Sequence, residues 1–279
     1  MFYQPTDMAE ALRLRAELGP EVVTVCGGTD VVVAMNHGVA RPEAFLDLSR
    51  VAGRDSVERV NGIYLLGGGV TFAQMAKLPV RALAEAARSV GGPQIRNVGT
   101  IAGNLGTASP AGDGSVALLA LDAEVELSHV ERGSRWVRLE EFFLDYKRTA
   151  LQPDELITRV RFPSDFESVW YKIGKRGAVN ISIVCCAIGR SPAGAYRIAL
   201  GSVGPVPMRA MEAEAVLNGD STDAAHRAVA YLADEVIERA AEAAELEAAP
   251  IDDQRSSARY REAMCRVLVR RLLRELRDG

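Results

Sequence analysis

The residues best suited to chemistry by type and spacing lie between Gln94 and Ser115. Gly99, Gly103, Gly106, Gly112 and Gly114 punctuate this stretch, and Thr100, Asn104, Thr107, Ser109 and Asp113 supply short polar side chains. Glycine lets the backbone turn left-handed and lets a ligand approach without a Cβ in the way. Successive amide N–H groups in such turns form concavities that bind anions, phosphates above all. No helical or strand period persists, so the stretch reads as a long loop, while the interleaved Ile95, Val98, Ile101 and Leu105 argue against disorder. A second glycine turn, Cys26-Gly-Gly-Thr-Asp30, runs into the apolar Val31 to Met35. Thr29 or Asp30 would cap a helix there, and free N–H groups at its start favour an anion. An ordinary strand-to-helix turn has the same spacing, and Asp113 would equally serve as a helix cap. Spacing leaves both open.

Other chemistries fail on their patterns. Cys26 to Val31 and Gly67 to Phe72 do not fit Gly-x-Gly-x-x-Gly. Gly112 to Ala117 fits its looser form but follows Ser-Pro-Ala rather than a strand. There is no Gly-x-x-x-x-Gly-Lys-[Ser/Thr] loop, no Gly-x-Ser-x-Gly elbow, and no His beside a candidate Ser or Cys. Carboxylates are scattered, so no catalytic residue is nominated. Cys26, Cys185, Cys186 and Cys265 contain no Cys-x-x-Cys pair, and His37, His129 and His226 lack metal-site spacing. No metal site is expected. Loops that cradle a ligand, with little acid–base equipment, suit a protein whose chemistry belongs to a cofactor.

The elements that must position these loops follow from patterning. The chain has 279 residues and a net charge of −4, long enough for one large or two modest domains and without a basic footprint for nucleic acid. No apolar run spans a bilayer and the N-terminus has no secretory pattern, so the expected compartment is the cytoplasm. Asp7-Met-Ala-Glu10 opens a helix that Gly19-Pro20 stops. Val22–Val25 and Ala44–Leu48 read as strands flanking the first glycine turn, a small β-α-β lobe. Ile63–Leu66 is a strand, Thr71 caps a helix, and Leu83 to Val90 is helical up to Gly91-Gly-Pro93. Val116 to Leu121 reads as a buried helix. Glu124–Ser128, Arg135–Leu139 and Leu156–Phe162 alternate as strands. Beyond Ser168, Val169–Ile173, Asn180–Ile188 and Tyr196–Leu200 read as strands, with Cys185 and Cys186 on opposite faces. Helices follow at Met208–Leu217, Ala224 to about Leu246 and Ser256–Leu276. The expectation is an α+β chain with a domain over 1–167, in lobes of about 1–55 and 56–167, and a C-terminal domain over 168–279.

Gln94-Ile-Arg-Asn-Val-Gly-Thr-Ile-Ala-Gly-Asn-Leu, continuing through Ala108-Ser-Pro-Ala-Gly-Asp113, resembles the flavin motif of the FAD-binding subunits of molybdenum hydroxylases. That family includes the medium subunit of aerobic carbon monoxide dehydrogenase and the flavin part of xanthine dehydrogenase. Cys26-Gly-Gly-Thr-Asp30 resembles its other phosphate loop. Asp154-Glu-Leu-Ile157 and Tyr171-Lys-Ile-Gly-Lys-Arg176 also match, in family order. The resemblance implies a two-lobed FAD-binding domain followed by a three-stranded antiparallel sheet with helices. It implies that Cys26, Gly27, Gly28, Thr29 and Asp30 hold the FAD pyrophosphate, with Thr100, Ile101, Ala102, Gly103 and Asn104 on the other side. Thr107 and Asp113 would bond the flavin and its linker, Ile157 would pack on the cofactor, Lys172 would meet its polar end, and Ile181 would lie near the ring.

Three departures stand out: Ala102 where Gly is usual, Cys26 where Ala is usual, and Asn180 where many relatives carry Asp. The cysteine-rich insertion of hydroxybenzoyl-CoA reductases is absent. The resemblance implies a subunit that takes electrons from a two-cluster iron–sulfur small subunit and passes them from FAD to NAD or another acceptor. A large subunit would carry the molybdopterin cofactor, so that group and the [2Fe-2S] clusters are expected only in partners, making a heterotrimer. A self-contained FAD-dependent oxidoreductase acting on a small organic substrate is the alternative.

Overall fold

A computed structural model describes residues 1–219 and 232–279. The first lobe is β1 (Phe2–Tyr3), α1 (Met8–Leu18), β2 (Val22–Val25), α2 (Val31–Asn36) and β3 (Ala44–Asp47), its strands forming a parallel sheet in the order β1-β3-β2. Asp7 caps α1 by accepting the Glu10 amide at 2.8 Å, and Gly19, at φ +68°, ends it. Ala11, Val22, Leu46 and Val51 make a small core that closes on Leu156 of the next lobe.

The second lobe runs through β4 (Val57–Val60), β5 (Ile63–Gly67), α3 (Phe72–Met75), α4 (Arg81–Ser89), α5 (Pro93–Val98), α6 (Ile101–Thr107) and α7 (Asp113–Leu119). It continues through β6 (Glu124–His129), β7 (Gly133–Arg138), α8 (Leu139–Phe142), the ribbon β8 (Phe143–Asp145) and β9 (Arg148–Thr149), and β10 (Leu156–Pro163). The main sheet is antiparallel in the order β4-β5-β10-β6-β7. β10 breaks register with β6 between Ile157 and Arg159, an irregularity that re-aims side chains at that point.

The stretch expected to be one long loop is instead three short helices, α5, α6 and the start of α7. Glycine weakens helix propensity, but tertiary packing overrides it here. Ile101 and Leu105, four apart and fully buried, anchor α6, and Thr100 caps it by accepting the Gly103 amide at 3.2 Å.

The C-terminal part comprises β11 (Glu167–Ile173), β12 (Val184–Arg190), β13 (Tyr196–Gly201), β14 (Met208–Arg209), α9 (Met211–Asn218), α10 (Asp234–Glu247) and α11 (Ala258–Asp278). Its antiparallel sheet has the expected three long strands plus the two-residue edge strand β14, where a helix start was expected. Asn180 to Ile183 is not strand: β12 starts at Val184, after a turn that aims Ile181 and Ser182 apart. Cys185 packs into the core of the second lobe and Cys186 into the core beneath α11, so they do face opposite ways. The first part of the helix expected from Ala224, with His226, lies outside the described residues.

Candidate functional site: the inter-lobe cleft

A cleft of about 1040 Å³ opens between the two lobes and the edge of the C-terminal sheet. Its walls come from the Cys26–Asp30 turn, α6, the segment from Ser109 to Asp113, the loop entering β10, and the Lys175–Ile181 turn.

The turn after β2 is held flush against α5. A Cβ on Gly27 would stand 1.9 Å from the Val98 carbonyl oxygen, so only glycine permits this approach. Gly28 takes φ +68°, which reverses the chain. Among the described residues, the amides of Gly27, Gly28, Thr29, Asp30 and Val31 have no acceptor. Consecutive unpaired N–H groups lining a cleft form an anion cradle, and backbone donors go unpaired in folded proteins only where water or a ligand completes them. Asp30 stands at the N-cap of α2 without capping it. Its Oδ2 instead accepts from Thr107 Oγ1 at 2.9 Å, tying the two glycine segments together.

The opposite wall differs from the sequence expectation of a second cradle. Ile101 donates to the Val70 carbonyl at 2.9 Å and Ala102 to that of Gly68 at 3.0 Å. Gly103 and Asn104 donate to the Thr100 side chain and carbonyl at 3.2 and 3.0 Å. Those amides are committed to fastening α6. What this wall offers is closeness: Gly103 and Gly106 are exposed, and a Cβ on Gly103 would meet only Thr100 Oγ1. Ala102 is a helical residue without positive φ, so replacing the usual glycine introduces no strain. Asn104 Oδ1 accepts the Ser115 amide and hydroxyl at 3.1 Å each, bracing α6 on α7.

At the far end, Asp113 lies in the first turn of α7, preceded by Gly112 as the N-cap. Its Oδ2 accepts from Lys172 Nζ at 2.7 Å and its Oδ1 from Ser182 Oγ at 2.5 Å. The single Ser89 hydroxyl proton lies between the Ala86 carbonyl, at 2.7 Å, and Asp113 Oδ2, at 3.1 Å, and favours the carbonyl. Lys172 gives its other two ammonium donors to the carbonyls of Ser89 and Asn180, at 3.0 and 3.2 Å. With all three donors used, it stands behind Asp113 rather than on the cleft wall. Ile101 likewise turns into the core. These two, among the expected site residues, do not reach the wall; the others do. Ile157 lies on it just before the register break of β10, and Ile181 is 55% exposed toward it. Burial pushes the Cys26 thiol up, away from the thiolate form. Asn180 lines the cleft with its Oδ1 buried and unpartnered.

Arg15 was not anticipated. It donates to the Pro153 carbonyl at 2.6 Å and the Val22 carbonyl at 2.7 Å, bracing one lobe on the other at the cleft wall. Its place four residues after the buried Ala11, on the inward stripe of α1, is a signal that could have found it. No comparable signal marks Ser182.

The unpaired amides, the glycine wall and the apolar Ile157 and Ile181 fit a long ligand with a central anion and an aromatic end. Residues 1–165 match the model of the FAD-binding domain in molybdopterin dehydrogenase, and residues 169–276 that of the CO dehydrogenase flavoprotein C-terminal domain. The chain is 35% identical to the nicotinate dehydrogenase FAD-subunit of Eubacterium barkeri, over 78% of this chain and 79% of the relative. It is 28% identical to the carbon monoxide dehydrogenase medium chain of Afipia carboxidovorans, over 97% and 94%. Among solved structures, carbon monoxide dehydrogenase from Hydrogenophaga pseudoflava lacking the Mo-pyranopterin moiety superimposes with a TM-score of 0.87 at 28% identity, covering 98% of this chain and 95% of that one.

Proposed function

The chain belongs to the FAD-binding family of the molybdopterin dehydrogenases, and on that premise we propose that it is the electron-exit subunit of a molybdenum hydroxylase. In this reading an iron–sulfur small subunit delivers electrons, a molybdopterin large subunit generates them, and the final acceptor is NAD or another oxidant. FAD, when bound, supplies the chemistry by collecting electrons delivered singly and releasing them as a pair. The chain itself binds and orients. The amides of Gly27 to Val31 would take the pyrophosphate, with the Asp30–Thr107 bridge fixing the turn. Gly103 and Gly106 would let the cofactor lie against α6. Asp113, Ile157 and Ile181 would bound the flavin end. We place the division between the FAD-binding and C-terminal domains at residues 167 and 168.

The carrying observation is the run of unpaired amides on the wall of a cleft of about 1040 Å³. Purification of the chain alone tests it. We expect a yellow protein with a flavin spectrum and without iron–sulfur absorbance; stoichiometric iron in the isolated chain would defeat the reading. Copurification with a large and an iron-rich small subunit tests the assembly, and turnover of an organic substrate by the chain alone would count against it.

A further inference from the structure

Beside the cleft, the dipeptide Ile181-Ser182 divides its side chains: Ile181 faces the cleft, and Ser182, only 1% exposed, turns back into the protein. The Ile183 amide bonds the Ile173 carbonyl at 2.8 Å, which fixes the turn that separates them. Ser182 Oγ donates to Asp113 Oδ1 at 2.5 Å, on the carboxylate oxygen that Lys172 leaves free. Ser182 is itself held. Ser202 Oγ donates to the Ser182 carbonyl at 3.0 Å, and the Ser202 amide donates to the Pro110 carbonyl of the second lobe at 2.8 Å. Ser202 adopts φ +65°, a left-handed conformation uncommon for a residue with a side chain. Behind it, the buried Arg261 of α11 donates through Nη1 to the carbonyls of Ile183 and Ser202, at 3.1 and 2.9 Å. A continuous chain of hydrogen bonds therefore runs from α11 to a carboxylate on the cleft wall.

We infer that Ser182 is a positioning residue for the cofactor: it fixes Asp113 at the cleft wall, so that the C-terminal domain sets the geometry of the flavin end. This rests on the FAD reading above. The physical reason is orientational. A carboxylate bonded at one oxygen alone can rotate about its Cβ–Cγ bond, whereas donors on both oxygens fix its plane. Hydrogen bonds to charged groups are also stronger than neutral ones. Nothing in the position of Lys172 replaces Ser182, because its donors all lie on the Oδ2 side or on carbonyls.

The test uses the full chain, stripped of flavin and titrated with FAD, in wild type, Ser182→Ala, Ser182→Thr and Ser202→Gly. We expect Ser182→Ala to raise the FAD dissociation constant about tenfold and to shift the midpoint potential of the bound flavin. Ser182→Thr, which keeps the hydroxyl, should recover the wild-type potential. Ser202→Gly, which suits the backbone but releases the Ser182 carbonyl, should move both quantities the same way by less. It carries the test if the flavin-free Ser182→Ala chain shows no cooperative melting. A purely packing role would lower the melting temperature of the flavin-free chain without moving the potential, and that result overturns the proposal. A wild-type chain that takes up no FAD sinks the underlying reading. A wild type that binds FAD alongside Ser182→Ala and Ser202→Gly chains of equal affinity and potential sinks this one alone.

Discussion

Lys172 and Asp113, fifty-nine residues apart, form an ion pair at 2.7 Å with side chains only 9% and 6% exposed, joining the C-terminal sheet to the first turn of α7. Removing one partner of such a pair leaves an uncompensated buried charge, which is strongly destabilising. Lys172→Met should therefore lower stability to urea by about 3 kcal/mol or more. The double variant Lys172→Met/Asp113→Asn should lose less than the sum of the single changes, as a double-mutant cycle will read. Additive losses would mean that the pair does not couple the two parts of the chain.

Gly103 is exposed on the cleft and sits inside α6. Valine is a better helix former than glycine, so Gly103→Val should leave the helix and the C-terminal domain intact by circular dichroism. Flavin retention should nevertheless be abolished, because two methyl groups would occupy the wall. Wild-type flavin occupancy in this variant would displace the cofactor from α6.

Gly27 and Gly28 are adjacent but constrained differently. Alanine at Gly28 makes only an ordinary contact with the Val32 side chain, at 3.7 Å, and bears the strain of a left-handed backbone, about 1 kcal/mol. Alanine at Gly27 would collide with the Val98 carbonyl and force the turn off α5, a disruption of about 2 kcal/mol or more. Urea midpoints should rank wild type above Gly28→Ala above Gly27→Ala, with flavin affinity falling in the same order.

Asp253 accepts from the guanidinium of Arg261 at 2.5 Å and the amides of Arg255 and Ser256 at 2.8 and 3.2 Å. Burial alone would raise its pKa, but these donors outweigh it and hold the group at about 2, against an ordinary 3.8. The folded value lies below the unfolded one, so the stabilisation is complete above the unfolded pKa and disappears as pH falls through about 2. Asp253→Asn should be less stable than wild type at neutral pH, and the gap should close between about pH 4 and about pH 2. A gap that stays constant across this range would mean that Asp253 does not carry the charge that holds Arg261.

Removing the tie between the two glycine segments, by Thr107→Val, should cost about 1 kcal/mol and speed FAD dissociation. Stopped-flow release of flavin measures it directly; an unchanged rate would assign the Asp30–Thr107 bond to folding only.

Much of this chain is legible in its amino acids because local chemistry decides it. The Asp7 and Thr71 caps, the period-two strands and the opposed Cys185 and Cys186 follow from short-range rules. So does Gly28, whose φ of +68° is a local turn requirement, whereas Gly27 is required by the distant Val98 carbonyl. Spacing left both glycine segments open to ordinary readings; the resemblance to the flavin motifs singled them out, and both line the cleft.

Tertiary structure alone decided how those walls are used. The Thr100–Asn104 amides look as available in sequence as those of Gly27 to Val31. The carbonyls of Gly68 and Val70 claim two of them, and nothing near residue 100 announces that partner. Lys172 reads as a residue for the cofactor, yet Ser89, Asp113 and Asn180, distant in sequence, use up its donors. Ser182 has no motif at all; it matters because a turn before β12 points its hydroxyl at Asp113. Sequence determines which groups can donate and accept along a short stretch of backbone, whereas long-range packing determines which of them remain free for a ligand.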